Sequence, residues 1–271
     1  MKRFNYRNSF LTLLAGILLT LSFAPFHLYP LAFFSIAVLF YIWSTSTPAQ
    51  AFLYGFLFGV GFFCSGVYWI YIAIHQFGHA PVSLSIAMTA AMILLLSLFV
   101  AINGWLINWL FSRSTARQKI LCLYPASWVL FEWLRAHALF NGFPWLLLGY
   151  SQTMTTLDSL ASWLGIFGLS LIVCFIAGCL ACIVKHKNQT QRAQLTCAII
   201  AIYAIAIFLH PLQFTHRKQV QHVVLLQGNI KQDIKWQPEQ LTQTLKRYYF
   251  LTQKVKQPSL IIWPEGAVPT F

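Results

Sequence analysis

Seven apolar runs, divided by short links, constrain this chain more than any other feature. They fall near residues 9–26, 30–45, 50–74, 82–111, 119–135, 157–184 and 194–211. A helix needs about 20 apolar residues to cross a bilayer core, and the runs are of that order. A soluble domain also needs more charge on its surface than this chain carries. Here 58% of residues are hydrophobic, 8% are charged and the mean hydropathy is +0.66. Residues 1–212 are therefore expected to form an α-helical polytopic membrane bundle of seven spans. The formal net charge of +13 would suit nucleic acid. The basic residues, however, lie between the apolar runs or in the C-terminal segment, so membrane contact is expected and nucleic-acid binding is not.

Those links also orient the bundle. The N-terminal tail carries Lys2, Arg3 and Arg7; the link after the fourth run carries Arg113, Arg117 and Lys119; the link after the sixth carries Lys185, Lys187 and Arg192. The alternate links HLYP and HQFGHAP carry neither Lys nor Arg, and the long one near 136–156 has only the adjoining Arg135. Cytoplasmic loops are the ones enriched in Lys and Arg. The N-terminus is thus expected in the cytoplasm, and an odd number of crossings places residues after about 212 on the opposite face. The first run imitates a signal peptide, but a cut after Ala24 would leave Pro25 at the new terminus, so a retained helix is expected. The sequon at Asn188 is discounted because its link is cytoplasmic.

Within the runs most special residues have structural readings. Gly55, Gly59 and Gly61 suit close helix packing. Trp43, Trp69, Trp105 and Trp109 lie toward run ends, where interfacial rings are favoured. The six cysteines all lie in apolar runs, and Cys174, Cys179 and Cys182 have no His or acid beside them, so no metal site is expected. The link EWLRAHALFNGFPWLLLGYSQTMTTLD, Glu132 to Asp158, is apolar but broken by Gly142, Pro144 and Gly149, and reads as a loop or partial helix dipping into the outer leaflet. Glu132 and Arg135 share a helix face at i, i+3. Two readings stay open: an ion pair holding the helix end, or Arg135 contacting a lipid phosphate or anionic substrate.

After Pro211 the texture changes. QHVVLLQGNI reads as a buried strand over 223–226, PEQLTQTLKRYYFLTQKVKQ as a helix with Leu241, Leu245 and Tyr248 or Tyr249 on one face, and PSLIIWPE as a second strand. Strand, helix, strand implies parallel pairing. Two parallel strands and one helix cannot cover both sheet faces, so residues 213–271 are expected to begin a larger α/β domain. Glu265 ends the second strand, in WPEG, and two readings stay open: a carboxylate held on a rigid strand end for proton transfer, or a solvated acid in a loop.

Several strings together resemble the apolipoprotein N-acyltransferases of bacterial envelopes: LSFAPF at 21–26, GVYWI at 66–70, EWLRAHALFNGFPWLLLGYSQ at 132–152, GIFGLS at 165–170, LLQGNIKQDIKW at 225–236 and LIIWPEGAVP at 260–269. They run in the family's order over the whole chain. One departure is Ala136, where many members have Gly. The resemblance implies a membrane bundle in the bacterial inner membrane carrying a periplasmic nitrilase-like αββα sandwich. It implies an acyl chain taken from a phospholipid and passed to the N-terminal amine of a diacylglyceryl-cysteine on an apolipoprotein, through a thioester and without a cofactor. By resemblance Glu265 is the Glu of a Glu-Lys-Cys triad. The aromatic that follows QGNI, Trp236 here, would lie near the site entrance and contact lipid, or else pack beneath a loop. The family's Lys and Cys follow its Glu, so Lys231, Lys235, Lys254 and Lys256 are not assigned to the triad and read as solvated. The 271 residues are expected to be the N-terminal part of a longer protein, inactive alone. The alternatives are a membrane-tethered nitrilase-like amidase and a non-catalytic truncated remnant.

Overall fold

A computed structural model of the chain describes residues 5–138, 142–185, 188–212, 218, 220–232, 234–258 and 260–268. It divides into two compact units, Met1–His75 with Ala80–Leu212, and Gln76–His79 with Gln213–Phe271.

The first unit is helical. Helix α1 spans Tyr6–Thr20, α2 Pro30–Trp43, α3 Pro48–Val67, α4 Val82–Leu110, α5 Tyr124–His137, α6 Ala161–Lys185 and α7 Gln189–Leu209. Local chemistry sets several of the starts. Asn5 caps α1, and Thr47 with Gln50 forms a capping box on α3, whose first residue is Pro48. Asn188, the sequon asparagine, caps α7 by accepting from the backbone N–H of Thr190 and Gln191. Among the described residues four helical stretches are long and apolar enough to cross a membrane, Pro48–Val67, Val82–Leu110, Thr156–Lys185 and Gln189–Leu209, and Pro30–Trp43 is a shorter apolar helix. The other two expected runs give the 15-residue α1 and the 14-residue α5. Run 9–26 leaves the helix at Leu21, a few residues before Pro25, because a proline disfavours helical backbone just ahead of it. A short helix, Ala116–Gln118, and a π-helical turn, Lys119–Leu123, lead directly into α5.

Helix α2 buries residues all round its axis, as an apolar helix without a polar face must. At its end Trp43 is fully buried and does not sit at an interface. Its indole Nε1 donates to the Ala51 carbonyl at 3.0 Å, and its ring packs on Phe40 and Tyr124 with centroids 6.0 and 5.4 Å away. A satisfied N–H is what allows a tryptophan to be buried. Trp69, Trp105 and Trp109 keep more than a third of their surface exposed.

Glycines set the spacing of α1, α3 and α4. A Cβ on Gly59 would lie 2.7 Å from the Ser97 Cα, and one on Gly55 would lie 2.7 Å from the Val100 carbonyl oxygen. The other side of α3 meets α1, where a Cβ on Gly61 would be 2.3 Å from the Leu13 carbonyl oxygen and one on Gly16 would be 2.1 Å from that of Phe58. The GxxxG pair therefore faces α4, and Gly61 faces α1.

The second unit has strands β1 (Val223–Leu225) and β2 (Leu260–Ile262) with helix α8 (Leu241–Gln253) between them in the chain. The strands pair in parallel, Val224 opposite Ile261. Tyr248, not Tyr249, is the inward tyrosine of α8. It is buried with Leu226 and Ala267, and its hydroxyl accepts from the Gly228 N–H at 3.3 Å. Among the described residues one sheet face is covered: Val224 and Ile261 pack inward, while Val223, Leu225, Leu260 and Ile262 are exposed.

Gly59→Val is expected to destabilise the bundle by about 1–3 kcal/mol, because backbone on α4 cannot yield to the new side chain. Gly66→Ala meets mainly the end of the flexible Leu146 side chain and is expected to shift the melting temperature less. Thermal unfolding of both variants in detergent checks the order.

Candidate active site

In the second unit the chain leaves β2 through Trp263 and Pro264 and turns at Glu265–Gly266. The Ala267 N–H closes the turn on the Pro264 carbonyl at 3.1 Å. Gly266 has φ +70°, a backbone conformation that residues with a Cβ rarely adopt. Glu265 is exposed at this turn. The loop after β1 arrives at the same place. Lys235 donates from Nζ to the Glu265 carbonyl oxygen at 3.3 Å, and its Nζ lies 5.9 Å from the Trp236 ring centroid. A Cβ on Gly266 would lie 2.7 Å from that Nζ and 3.9 Å from Cζ2 of Trp236. Two sequence candidates, Glu265 and Trp236, are thus brought together from positions 29 residues apart in the chain. The contact of Lys235 was not legible beforehand. Its bond goes to backbone, so it steadies the turn and leaves the carboxylate available. Trp236 is 45% exposed, a ring half open to whatever approaches the turn.

Arg135 belongs to the first unit, in the last turn of α5, and is 3% exposed. Its Nη1 donates to the Phe143 carbonyl at 2.9 Å and to that of Trp145, and Nη2 donates to the Leu146 carbonyl at 3.4 Å. Glu132 is 5% exposed, and its Oε1 accepts from the Leu148 N–H at 2.7 Å and from the Trp128 indole at 3.0 Å. The two side chains do not bond each other. They are two ends of a clamp on residues 143–148, which explains the i, i+3 spacing without a direct ion pair. The free carboxylate oxygen of Glu132, Oε2, and the Oδ1 of Asn103 are both buried without a hydrogen-bond partner. Both residues line a small cavity of about 20 Å³ with Arg135, Phe63 and Trp128. Asn103 could have been suspected only as a polar residue inside the fourth apolar run.

The clamp lets irregular backbone stay buried. Between α5 and α6 the chain forms two 3₁₀ turns, Leu148–Gln152 and Thr156–Leu160. Leu147, Leu148, Ser151 and Gln152 are nonetheless buried. Buried N–H and C=O groups outside helices must find partners, and Arg135, Glu132 and Ser170 (which accepts from the Gly149 N–H at 2.8 Å) supply them. Among the described residues no group of three His, Cys, Asp or Glu side chains could hold a metal.

Helices long and apolar enough to cross a membrane, a clamped apolar link and a parallel strand pair ending in a Trp-Pro-Glu turn together define a membrane-protein architecture. Residues 15–179 match the family model for the apolipoprotein N-acyltransferase N-terminal domain, and the chain belongs to that family. Its relatives include the apolipoprotein N-acyltransferases of Coxiella burnetii, 42% identical over 97% of this chain and 54% of that protein, and of Methylococcus capsulatus, 40% identical over 96% and 51%. That of Vibrio cholerae is 34% identical over 94% and 50%. The chain spans about half the length of the curated relatives it matches.

Arg135→Ala would leave the Glu132 carboxylate buried without its neighbouring cation and free three carbonyls at once. A loss of about 3–5 kcal/mol is expected, the usual size for breaking a buried charged network from one side. Glu132→Gln keeps an oxygen for Leu148 N–H and Trp128 and is expected to be milder. Thermal melts, together with protease susceptibility of the 143–148 link, check both.

Proposed function

We propose that the full-length protein is an apolipoprotein N-acyltransferase of the bacterial inner membrane, and that Glu265 is its general base. The observation that carries this reading is the match of relatives bearing that name along nearly the whole chain. The seven apolar runs and the charge of their links support a seven-span bundle with a cytoplasmic N-terminus, which puts residues after about 212 in the periplasm. The uncovered sheet face of Val223, Leu225, Leu260 and Ile262 supports reading residues 213–271 as the start of a nitrilase-like αββα sandwich, since parallel sheets are covered on both faces.

In the proposed reaction Glu265 takes the proton of a cysteine thiol. The thiolate attacks the carbonyl of a phospholipid ester, forming a thioester and releasing a lysophospholipid. The N-terminal amine of a diacylated apolipoprotein then attacks the thioester, forming an amide and returning the thiol. A lysine stabilises the oxyanion in both steps. That Lys and Cys are assigned by the family's pattern, in which they follow the Glu, and have no counterpart among these 271 residues. Trp236, half exposed beside the Glu265 turn, contacts the acyl chain. Arg135 contributes through its clamp on the 143–146 carbonyls; a phosphate contact would require it to leave them.

The test is rescue of cells depleted of their own N-acyltransferase by the full-length gene, with mass spectrometry of lipoprotein N-termini. Wild type is expected to restore the third acyl chain. Glu265→Gln is expected to lower transfer by about 10²–10⁴-fold, the range of general acid–base contributions. Absence of rescue by wild type overturns the acyltransferase reading, and release of ammonia from small amides would favour the amidase. Rescue by Glu265→Gln overturns the base assignment alone.

A further inference from the structure

We infer that the groove between α1, α2 and α6 binds an anionic phospholipid, with an acyl chain along its wall and the phosphate at the Arg7 end. The groove encloses about 500 Å³, within the range of small-ligand sites. Leu11, Val38 and Val184 form its apolar wall, and Arg7, Asn8 and Tyr41 stand at one end. A second cation stands at that end. Lys185, the last residue of α6, donates to the Ser44 hydroxyl at 2.7 Å and lies 5.8 Å from the Tyr41 ring centroid.

The negative charge must come from outside the bundle. Between residues 1 and 212 the only acids are Glu132 and Asp158. Glu132 is buried against Leu148 and Trp128, and Asp158 accepts from the Met154 N–H at 3.0 Å. Asp158 lies before the break in α6 at Gly165, and the regular helix from there to Lys185 is roughly 28 Å long at 1.5 Å per residue. That exceeds the Debye length several-fold. An apolar wall adjoining an uncompensated cationic end matches an amphiphile with an anionic head. A soluble anion would use the cationic end alone and leave the apolar wall without a role, and a zwitterionic lipid would bring its own cation to Arg7 and Lys185. Basic pockets between membrane helices recognise anionic head groups on this principle. Among the described residues no carboxylate, thiol or imidazole lines the groove, so the lipid there is read as a resident and not a reactant. The inference therefore stands apart from the proposed acyl transfer.

Native mass spectrometry of the full-length, delipidated protein tests it, by titration with phosphatidylglycerol and phosphatidylcholine of identical chains. One phosphatidylglycerol is expected to bind about tenfold more tightly than phosphatidylcholine. The Arg7→Gln/Lys185→Gln double variant is expected to lose that preference at an unchanged melting temperature. Val38→Trp, which fills the wall, is expected to weaken both lipids, while Met92→Trp, in a different groove, leaves the preference intact. Equal binding of the two lipids by wild type, or a preference that survives in the folded double variant, overturns the proposal. Should the double variant unfold, undiminished phosphatidylglycerol binding by Val38→Trp overturns it instead.

Discussion

Backbone that is buried and not helical must have its polar groups satisfied by something else. In this bundle the requirement falls on the link between α5 and α6, and Arg135 and Glu132 meet it. Arginine suits the role because its planar fork presents several donors in fixed geometry. Here those donors reach the carbonyls of Phe143, Trp145 and Leu146. The carboxylate answers from the same helix face by accepting the Leu148 N–H. Without that pair the stretch Leu147 to Gly149 could not be buried in an irregular form, and α6 would not be placed by the packing of Gly149 against Ser170 and Ile166.

The opposite end of the bundle is organised by Trp43. One buried indole bonds to the first turn of α3, packs on Tyr124 of α5 and occupies the space left by Gly104 of α4. Close by, Asn108 accepts from both Lys119 Nζ and the Tyr124 hydroxyl, each at 3.1 Å, so a largely buried lysine has a partner without an acid. The basic links cluster at this end and the acids lie at the other. The bundle is therefore polarised along its axis by its own charges.

In the second unit the fold is a local one that leaves half of its surface requirement unmet. Tyr248 anchors α8 to the sheet, and the Glu265 turn is held by Lys235 and by the conformation of Gly266. Glu265 and Trp236 were both picked out by the strings around them. Their proximity was not, since it depends on how a loop after one strand folds over the end of the other. Lys235, set aside as a solvated residue, is the group that joins them.

What the sequence alone determined is the apolar periodicity, the sign of each link, the strand–helix–strand order and the motif strings. Each rests on local composition or spacing, which survives in a linear reading. Only the tertiary structure decided that Trp43 is buried and not interfacial, that Gly55 and Gly59 face a different helix from Gly61, and that Glu132 and Arg135 hold backbone and not each other. Those outcomes depend on which distant surface each side chain meets. An indole N–H, a guanidinium or a bare Cα goes to whichever partner the packing brings within bonding distance, and no spacing along the chain encodes that partner.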